Sequence, residues 1–245
     1  MLTTLKQPIE LGYWNIKGLL EPSRWICNHF NIDFVEWHPK SQADWEEKAK
    51  KLGLFPSMPF LIDGDVVITE TTKLPRAIPQ YLIEKTGRSD FLGNTPKERA
   101  QLRMIEGVLD DIRMECFRIV EMGPGVDHAA AVRSFFDKSG PTYQKIRALS
   151  EFLGDKEFFF GYLTWVDFMM QFTARFTGAM CYSLLGYSPY ADFPNIVKHL
   201  ITVTSLSGIK ERLDFAQPLP YLQPSSVPFH LLNFREMIDA GLKPI

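Results

Sequence analysis

Cysteine is scarce in this sequence: Cys27, Cys116 and Cys181 are the three in 245 residues. They are too few and too scattered for a disulfide framework or a zinc site, and neither a CxxC nor an HExxH spacing occurs. Buried structural thiols are the expectation for all three. Long apolar runs are missing too, and none reaches the length that spans a membrane. The first ten residues include Lys6, Gln7 and Pro8 but no apolar stretch of the kind a secretory signal carries, so a cytoplasmic location is expected. Net charge is small, −2 at pH 7, and gives no reason to expect nucleic acid or an anionic membrane as partner. No internal repeat is visible.

What is present divides the chain by pattern. The first third alternates between strand and helix signals. A short apolar run over 9–14 ends in the polar turn Asn15-Ile16-Lys17-Gly18. Glu21-Pro22-Ser23 then opens a helix to about Phe30, with proline in the first turn where its missing N–H costs nothing. Residues 33–37 alternate polar and apolar, the mark of a half-buried strand. Residues 43–52 are good helix formers and stop at Gly53. Phe60-Leu61-Ile62 and Val66-Val67-Ile68 flank Asp63-Gly64-Asp65, a strong hairpin signal. A β-α-β unit requires one parallel pair and the hairpin adds an antiparallel pair. The expected N-terminal part is therefore a mixed four-stranded sheet with helices on its faces.

After a loop over 86–95 the strand signals stop. Residues 96–121 show helical periodicity, with Leu102, Ile105, Leu109, Ile112 and Cys116 on one face, and Gly123-Pro124-Gly125 breaks the pattern. Helical patterns resume over 127–153, 166–185, 194–204 and 207–215. The last stretch contains Pro218, Pro220, Pro224, Pro228 and Pro244, so it cannot be one helix and reads as an extended strap. Its apolar side chains, among them Phe229, Leu231 and Phe234, argue for an ordered strap, with a short helix over 231–240. The fold class is α+β. The expected domains are 1–88, a thioredoxin-like unit; 96–216, all helical; and 217–245, the Pro-rich strap.

Several blocks resemble the cytosolic glutathione transferases. Residues 11–19 (Leu-Gly-Tyr-Trp-Asn-Ile-Lys-Gly-Leu) look like the mu-class opening Leu-Gly-Tyr-Trp-Asp-Ile-Arg-Gly-Leu. Glu21-Pro22-Ser23-Arg24 is similar to the same helix in the alpha and sigma classes. Residues 51–56 and 58–64 resemble the mu pattern again, and Ile68-Thr69-Glu70-Thr71 matches the turn before the third helix. Blocks at 150–154 and 164–168 follow in the family's order and spacing, so the resemblance runs over roughly 9–215.

That resemblance implies a site. Tyr13 would be catalytic: a phenol that donates a hydrogen bond to a thiolate favours the charged form and so lowers the thiol pKa. Met58-Pro59 would be a cis step that turns the Met58 backbone toward the cysteinyl part of glutathione. Glu70 and Thr71, at a helix start, would hold the γ-glutamyl end. Trp45 would bind the glycyl carboxylate. The family's lysine four residues later falls on Ala49, so Lys48 and Lys50 are the candidate replacements, although one residue on a helix turns a side chain by about 100°. Trp14 and Lys17 complete the glutathione-binding set. Thr164 and Asp167 resemble a capping box, which is structural.

The resemblance also implies glutathione as substrate with no metal or redox cofactor, a small hydrophobic electrophile in a cleft between the domains, and a homodimer. The pattern departs from the family in three places. Pro75 and Pro79 fall in the expected third helix, where Pro79 would remove an i to i−4 bond unless the helix starts late. Arg103 replaces an acidic residue that reaches a neighbouring subunit's glutathione in mu enzymes. Glu121 stands near the position of their second-substrate tyrosine. The alternative function is a non-catalytic scaffold or assembly subunit on the same fold, with a protein partner at the C-terminal strap. A sigma-type prostaglandin isomerase uses the same tyrosine. A redox role is disfavoured, because tyrosine stands where a cysteine would be needed.

Overall fold

The computed structural model describes residues 7–70, 76–122, 126–216 and 219. Thr71, Pro75, Gly123-Pro124-Gly125 and the strap expected over 217–245, Leu219 apart, lie outside the described residues. The N-terminal part is a four-stranded sheet in the order β2-β1-β3-β4. β1 (Ile9–Gly12) runs parallel to β2 (Phe34–Trp37) and antiparallel to β3 (Phe60–Asp63), which pairs with β4 (Val66–Thr69) through the Asp-Gly turn. Gly12 stands opposite Phe60. A Cβ on Gly12 would fall 2.0 Å from the Phe60 ring, so the ring takes the place of a side chain. That close approach is why the strand ends on glycine just before Tyr13.

The local chemistry sets the helix starts. α1 (Glu21–His29) carries Pro22 in its first turn. α2 (Gln42–Ala49) is capped by Ser41, whose hydroxyl accepts from the Asp44 N–H at 3.1 Å. α3 (Ala77–Lys85) begins late, so Pro79 is its third residue. An N–H at that position has no acceptor within the helix, so Pro79 removes no i to i−4 bond of α3.

α4 (Pro96–Val120) is capped by Thr95 and buries the predicted face of Leu102, Ile105, Leu109, Ile112 and Cys116. The single pattern expected over 127–153 is instead two helices, α5 (His128–Phe135) and α6 (Pro141–Leu153). Asp137 accepts from the Ser139 N–H at 2.9 Å and Pro141 opens α6, so local turn chemistry overrides the continuous apolar periodicity. α7 (Trp165–Leu185) is buried from Trp165 to Cys181 and is the axis of the helical part; α8 (Pro194–Thr204) and α9 (Ile209–Ala216) close it.

The sheet part and the helical part share one core. Trp25 of α1 makes edge-to-face contacts with Phe168 and Phe172 of α7, each at 6.3 Å between centroids. Phe91, just before α4, meets Phe168 at 5.2 Å. Buried aromatic side chains of this size each contribute about 1.5–3 kcal/mol. This seam therefore fixes α1, and the turn that precedes it, against α7. No helix among the described residues is long and apolar enough to cross a membrane.

Candidate active site

Tyr13 follows β1 directly. Its N–H donates to the Trp37 carbonyl at 3.1 Å, extending the β1–β2 ladder by one residue. Its carbonyl accepts from His38 Nδ1 at 2.9 Å, which requires the His38 proton on Nδ1. The ring is 8% exposed. Its hydroxyl sits over the turn that leads into α1. A Cβ on Gly18 would fall 2.4 Å from Tyr13 Cε1 and 3.0 Å from the hydroxyl oxygen, and Gly18 has φ +47°. Burial pushes the phenol pKa up, against the Leu19 backbone N–H and the Arg24 charge, which pull it down. The hydroxyl therefore stays protonated near neutral pH and is a donor.

Arg24, fully buried, fixes the turn under that hydroxyl. One of its terminal nitrogens donates to the carbonyls of Ile16 and Lys17, both at 2.9 Å, and lies 3.1 Å from Glu21. Its other nitrogens hold Glu36 at 2.7 and 3.0 Å. Arg212 of α9 grips Glu21 through two bonds, 2.9 and 3.1 Å, and reaches Glu36 at 3.2 Å. Lys17 is 8% exposed beside this network. Burial first, then the like charges of Arg175 and Arg212, push its ammonium pKa down to about 8, with Glu21 opposing.

The Met58–Pro59 peptide is cis, as expected. Around it, Ser57 Oγ donates to the Glu70 carbonyl and Thr69 Oγ1 to the Phe55 carbonyl, both at 2.7 Å, while the Glu70 N–H donates to the Pro59 carbonyl at 3.0 Å. These bonds staple the 55–59 loop to the end of β4. Among the described residues, neither the N–H nor the carbonyl of Met58 has a hydrogen-bond partner, leaving a short free backbone edge.

Glu70 turns its side chain onto the start of α3. Its Oε1 accepts from the N–H groups of Arg76 and Ala77. Its Oε2 is buried with no hydrogen-bond partner among the described residues. Burial pushes this carboxyl pKa up against those helix N–H groups.

The remaining candidates are placed less uniformly. Trp14 is half-buried against the core and Trp45 is half-buried on α2. Lys48 pairs with Glu10 and lies over the rings of Trp37 and Phe60, at 5.4 and 5.3 Å from their centroids. It is thus engaged on the sheet, while Lys50 is exposed at the end of α2. Arg103 is tied within its own chain, to Glu106 at 2.7 Å and Gln80 at 3.3 Å. Glu121 is exposed at the end of α4. All three cysteines are buried; burial pushes the Cys27 thiol pKa up to about 12 and those of Cys116 and Cys181 well above the usual range.

Sequence reasoning did not single out Glu36, His38 or Arg212, and it quoted Arg24 only as part of a motif. Glu21 and Arg24 are three apart on a helix, a legible pair. Nothing local links either to Glu36 or Arg212, which the fold brings in from 12 and 191 residues away.

A mixed sheet with a tyrosine at the end of its first strand and a cis proline before its third, joined to a helical part, is a thioredoxin-like transferase architecture. No family model matches the chain. It is 30% identical over 211 residues to the glutathione S-transferase class-mu 26 kDa isozyme 51 of Fasciola hepatica, covering 84% of this chain and 88% of that protein. It is 33% identical over 175 residues to glutathione S-transferase 2 of Gallus gallus, covering 66% and 71%. The match to a class-mu 26 kDa isozyme of Schistosoma mansoni is 40% identical over 113 residues and spans about half of that relative, 54%. Among solved structures, rat hPGDS complexed with a quinoline superposes with a TM-score of 0.67 at 25% identity, over 89% of this chain and 100% of that one. The chain belongs to the glutathione S-transferases, a family of transferase enzymes, and is mu-like within it.

Proposed function

We propose that this protein conjugates the thiolate of glutathione to a small apolar electrophile, with the Tyr13 hydroxyl donating a hydrogen bond to the sulfur. The observation that carries this reading is the Tyr13 geometry: a protonated phenol, held at both backbone ends, with its oxygen over the Gly18 turn. A glutathione thiol is a weak nucleophile until ionised, and a hydrogen bond to its anion favours that form.

The other contacts follow the tripeptide. The free edge of Met58 beside Pro59 pairs with the cysteinyl backbone. The Oε2 of Glu70, without a hydrogen-bond partner among the described residues, accepts from the γ-glutamyl amine, and Thr71 serves the same end of the tripeptide. Trp45 and Lys50 serve the glycyl carboxylate, and Trp14 and Lys17 border the site. The electrophile occupies the cleft between the sheet domain and the helical domain. The active form is a cytoplasmic homodimer. Leu54 and Phe55, 90% and 72% exposed, support that reading, because a second copy would cover apolar surface that water now meets.

A second reading, a non-catalytic assembly subunit, is favoured by one observation: Lys48 is spent on Glu10 and weakens the glycyl end. Retention on immobilised glutathione, followed by turnover of a generic aryl halide, separates the two. The transferase reading expects both, and neither would leave the scaffold. Tyr13→Phe should lower kcat at least tenfold with little change in glutathione affinity, since a hydrogen bond to a charged group contributes about 1.5–3 kcal/mol. Parental activity in that variant would remove Tyr13 from the mechanism.

A further inference from the structure

We infer that Arg212, on the last described helix, is a positioning residue for the Tyr13 site, so that the docking of α9 sets how well the thiolate is stabilised. The inference rests on the transferase reading above and adds a residue that touches neither glutathione nor Tyr13.

Two chains of contacts lead from Arg212 to Tyr13, the second hydrogen-bonded as far as the turn before α1. In the first, Arg212 holds Glu36 at 3.2 Å, Glu36 lies 3.4 Å from His38 Nε2, and His38 Nδ1 donates to the Tyr13 carbonyl at 2.9 Å. In the second, Arg212 grips both oxygens of Glu21, Glu21 lies 3.1 Å from Arg24, and Arg24 donates to the carbonyls of Ile16 and Lys17. Those carbonyls flank the turn whose next residue, Gly18, packs against the Tyr13 ring.

Hydrogen bonding, more than charge balance, gives Arg212 its place here, since Lys17 and Arg175 add positive charge beside Glu21. Two guanidinium groups, Arg24 and Arg212, serve two carboxylates, Glu21 and Glu36. Glu21, Arg24 and Arg212 are 2%, 0% and 5% exposed. A buried carboxylate that loses two of its hydrogen bonds draws harder on the guanidinium that remains. Arg24 is that remaining group. It already divides its donors between two carboxylates and two backbone carbonyls. Without Arg212 it must favour the carboxylates and release Ile16 and Lys17. The Gly18 turn then loosens beneath the Tyr13 hydroxyl. The Met58 edge and the Glu70 cap are not part of either route, so glutathione binding is expected to survive.

The test is Arg212→Met in the full chain, with glutathione as ligand and an aryl halide as second substrate. Expected are a fall in kcat of about tenfold, a glutathione KM within about threefold of parent, and a raised thiol pKa for bound glutathione, read from thiolate absorbance against pH. In a Tyr13→Phe background the Arg212→Met effect on kcat should vanish. Parental thiol pKa in Arg212→Met, or an undiminished effect without the Tyr13 hydroxyl, would overturn the inference. Should the Met variant not fold, Arg212→Lys keeps the charge but cannot bridge Glu21 through two bonds. It should shift the same quantities in the same direction by less, and a parental thiol pKa there would also overturn the inference. A parent without turnover defeats the transferase reading before any variant is made. The network is then read from amide exchange over 13–20, which should quicken in either Arg212 variant and whose constancy would overturn it.

Discussion

Gly18 and Tyr13 are in van der Waals contact through a position where only glycine fits: a Cβ on Gly18 would lie 2.4 Å from Tyr13 Cε1. Gly18 also has φ +47°, which L side chains rarely adopt. Gly18→Ala should therefore displace the ring as well as strain the turn. We expect turnover to fall more than tenfold with a stability loss of about 1–2 kcal/mol. Gly64→Ala is the control, because Gly64 has φ +65° and open space around it. It should bear only the backbone cost and keep parental turnover. Parental turnover in Gly18→Ala would show that the ring is free to move.

Lys17 gives a pH-dependent stability with a definite sign. Its folded pKa, about 8, lies below the usual 10.5. Below pH 8 both folded and unfolded chains hold the proton, and the folded state carries the full penalty of a buried, repelled ammonium. Between pH 8 and 10.5 the folded chain sheds the proton while the unfolded chain keeps it, so the penalty is progressively relieved. Lys17→Met should stabilise the protein at pH 7 by about 3 kcal/mol. That advantage should shrink toward zero by about pH 10.5. Urea unfolding of both proteins at several pH values measures this, and a less stable variant at pH 7 would contradict it.

The start of α7 is held by a carboxylate in the core. Asp167 accepts from the Thr164 N–H at 2.7 Å, the Thr164 hydroxyl at 2.8 Å and the Phe159 N–H at 3.0 Å, completing a capping box. Asp167→Ala orphans two buried N–H groups, each costing about 1–3 kcal/mol, so a loss of about 3 kcal/mol or more is expected. At the exposed start of α4, Thr95 accepts from the Glu98 N–H at 3.1 Å. Thr95→Ala should cost about 1 kcal/mol, because water replaces the cap. Equal losses in the two variants, measured by denaturant unfolding, would deny burial its role.

Much of the architecture was legible along the chain because its signals are local. The Asp-Gly turn announced the β3–β4 hairpin, and the 3.6-residue spacing from Leu102 to Cys116 announced the buried face of α4. Tyr13, Met58 and Pro59 stand in motifs whose spacing carries their meaning. The split of 127–153 into α5 and α6 was legible in principle, in Asp137 and Gly140 before Pro141. The apolar periodicity masked it.

By itself, then, the sequence determined the order of elements, the mixed sheet and the tyrosine at the end of β1, since each depends on neighbours a few residues apart. Only the tertiary structure decided what surrounds that tyrosine. It joined Glu21, Arg24 and Arg212 into one buried cluster with the half-buried Glu36 at its edge, assigned Lys48 to Glu10, and left Glu70 with one oxygen on α3 and the other without a partner among the described residues. Those outcomes depend on which charges must share a dry interior. A charge leaves water only when a partner arrives with it, and that partner can come from any distance along the chain.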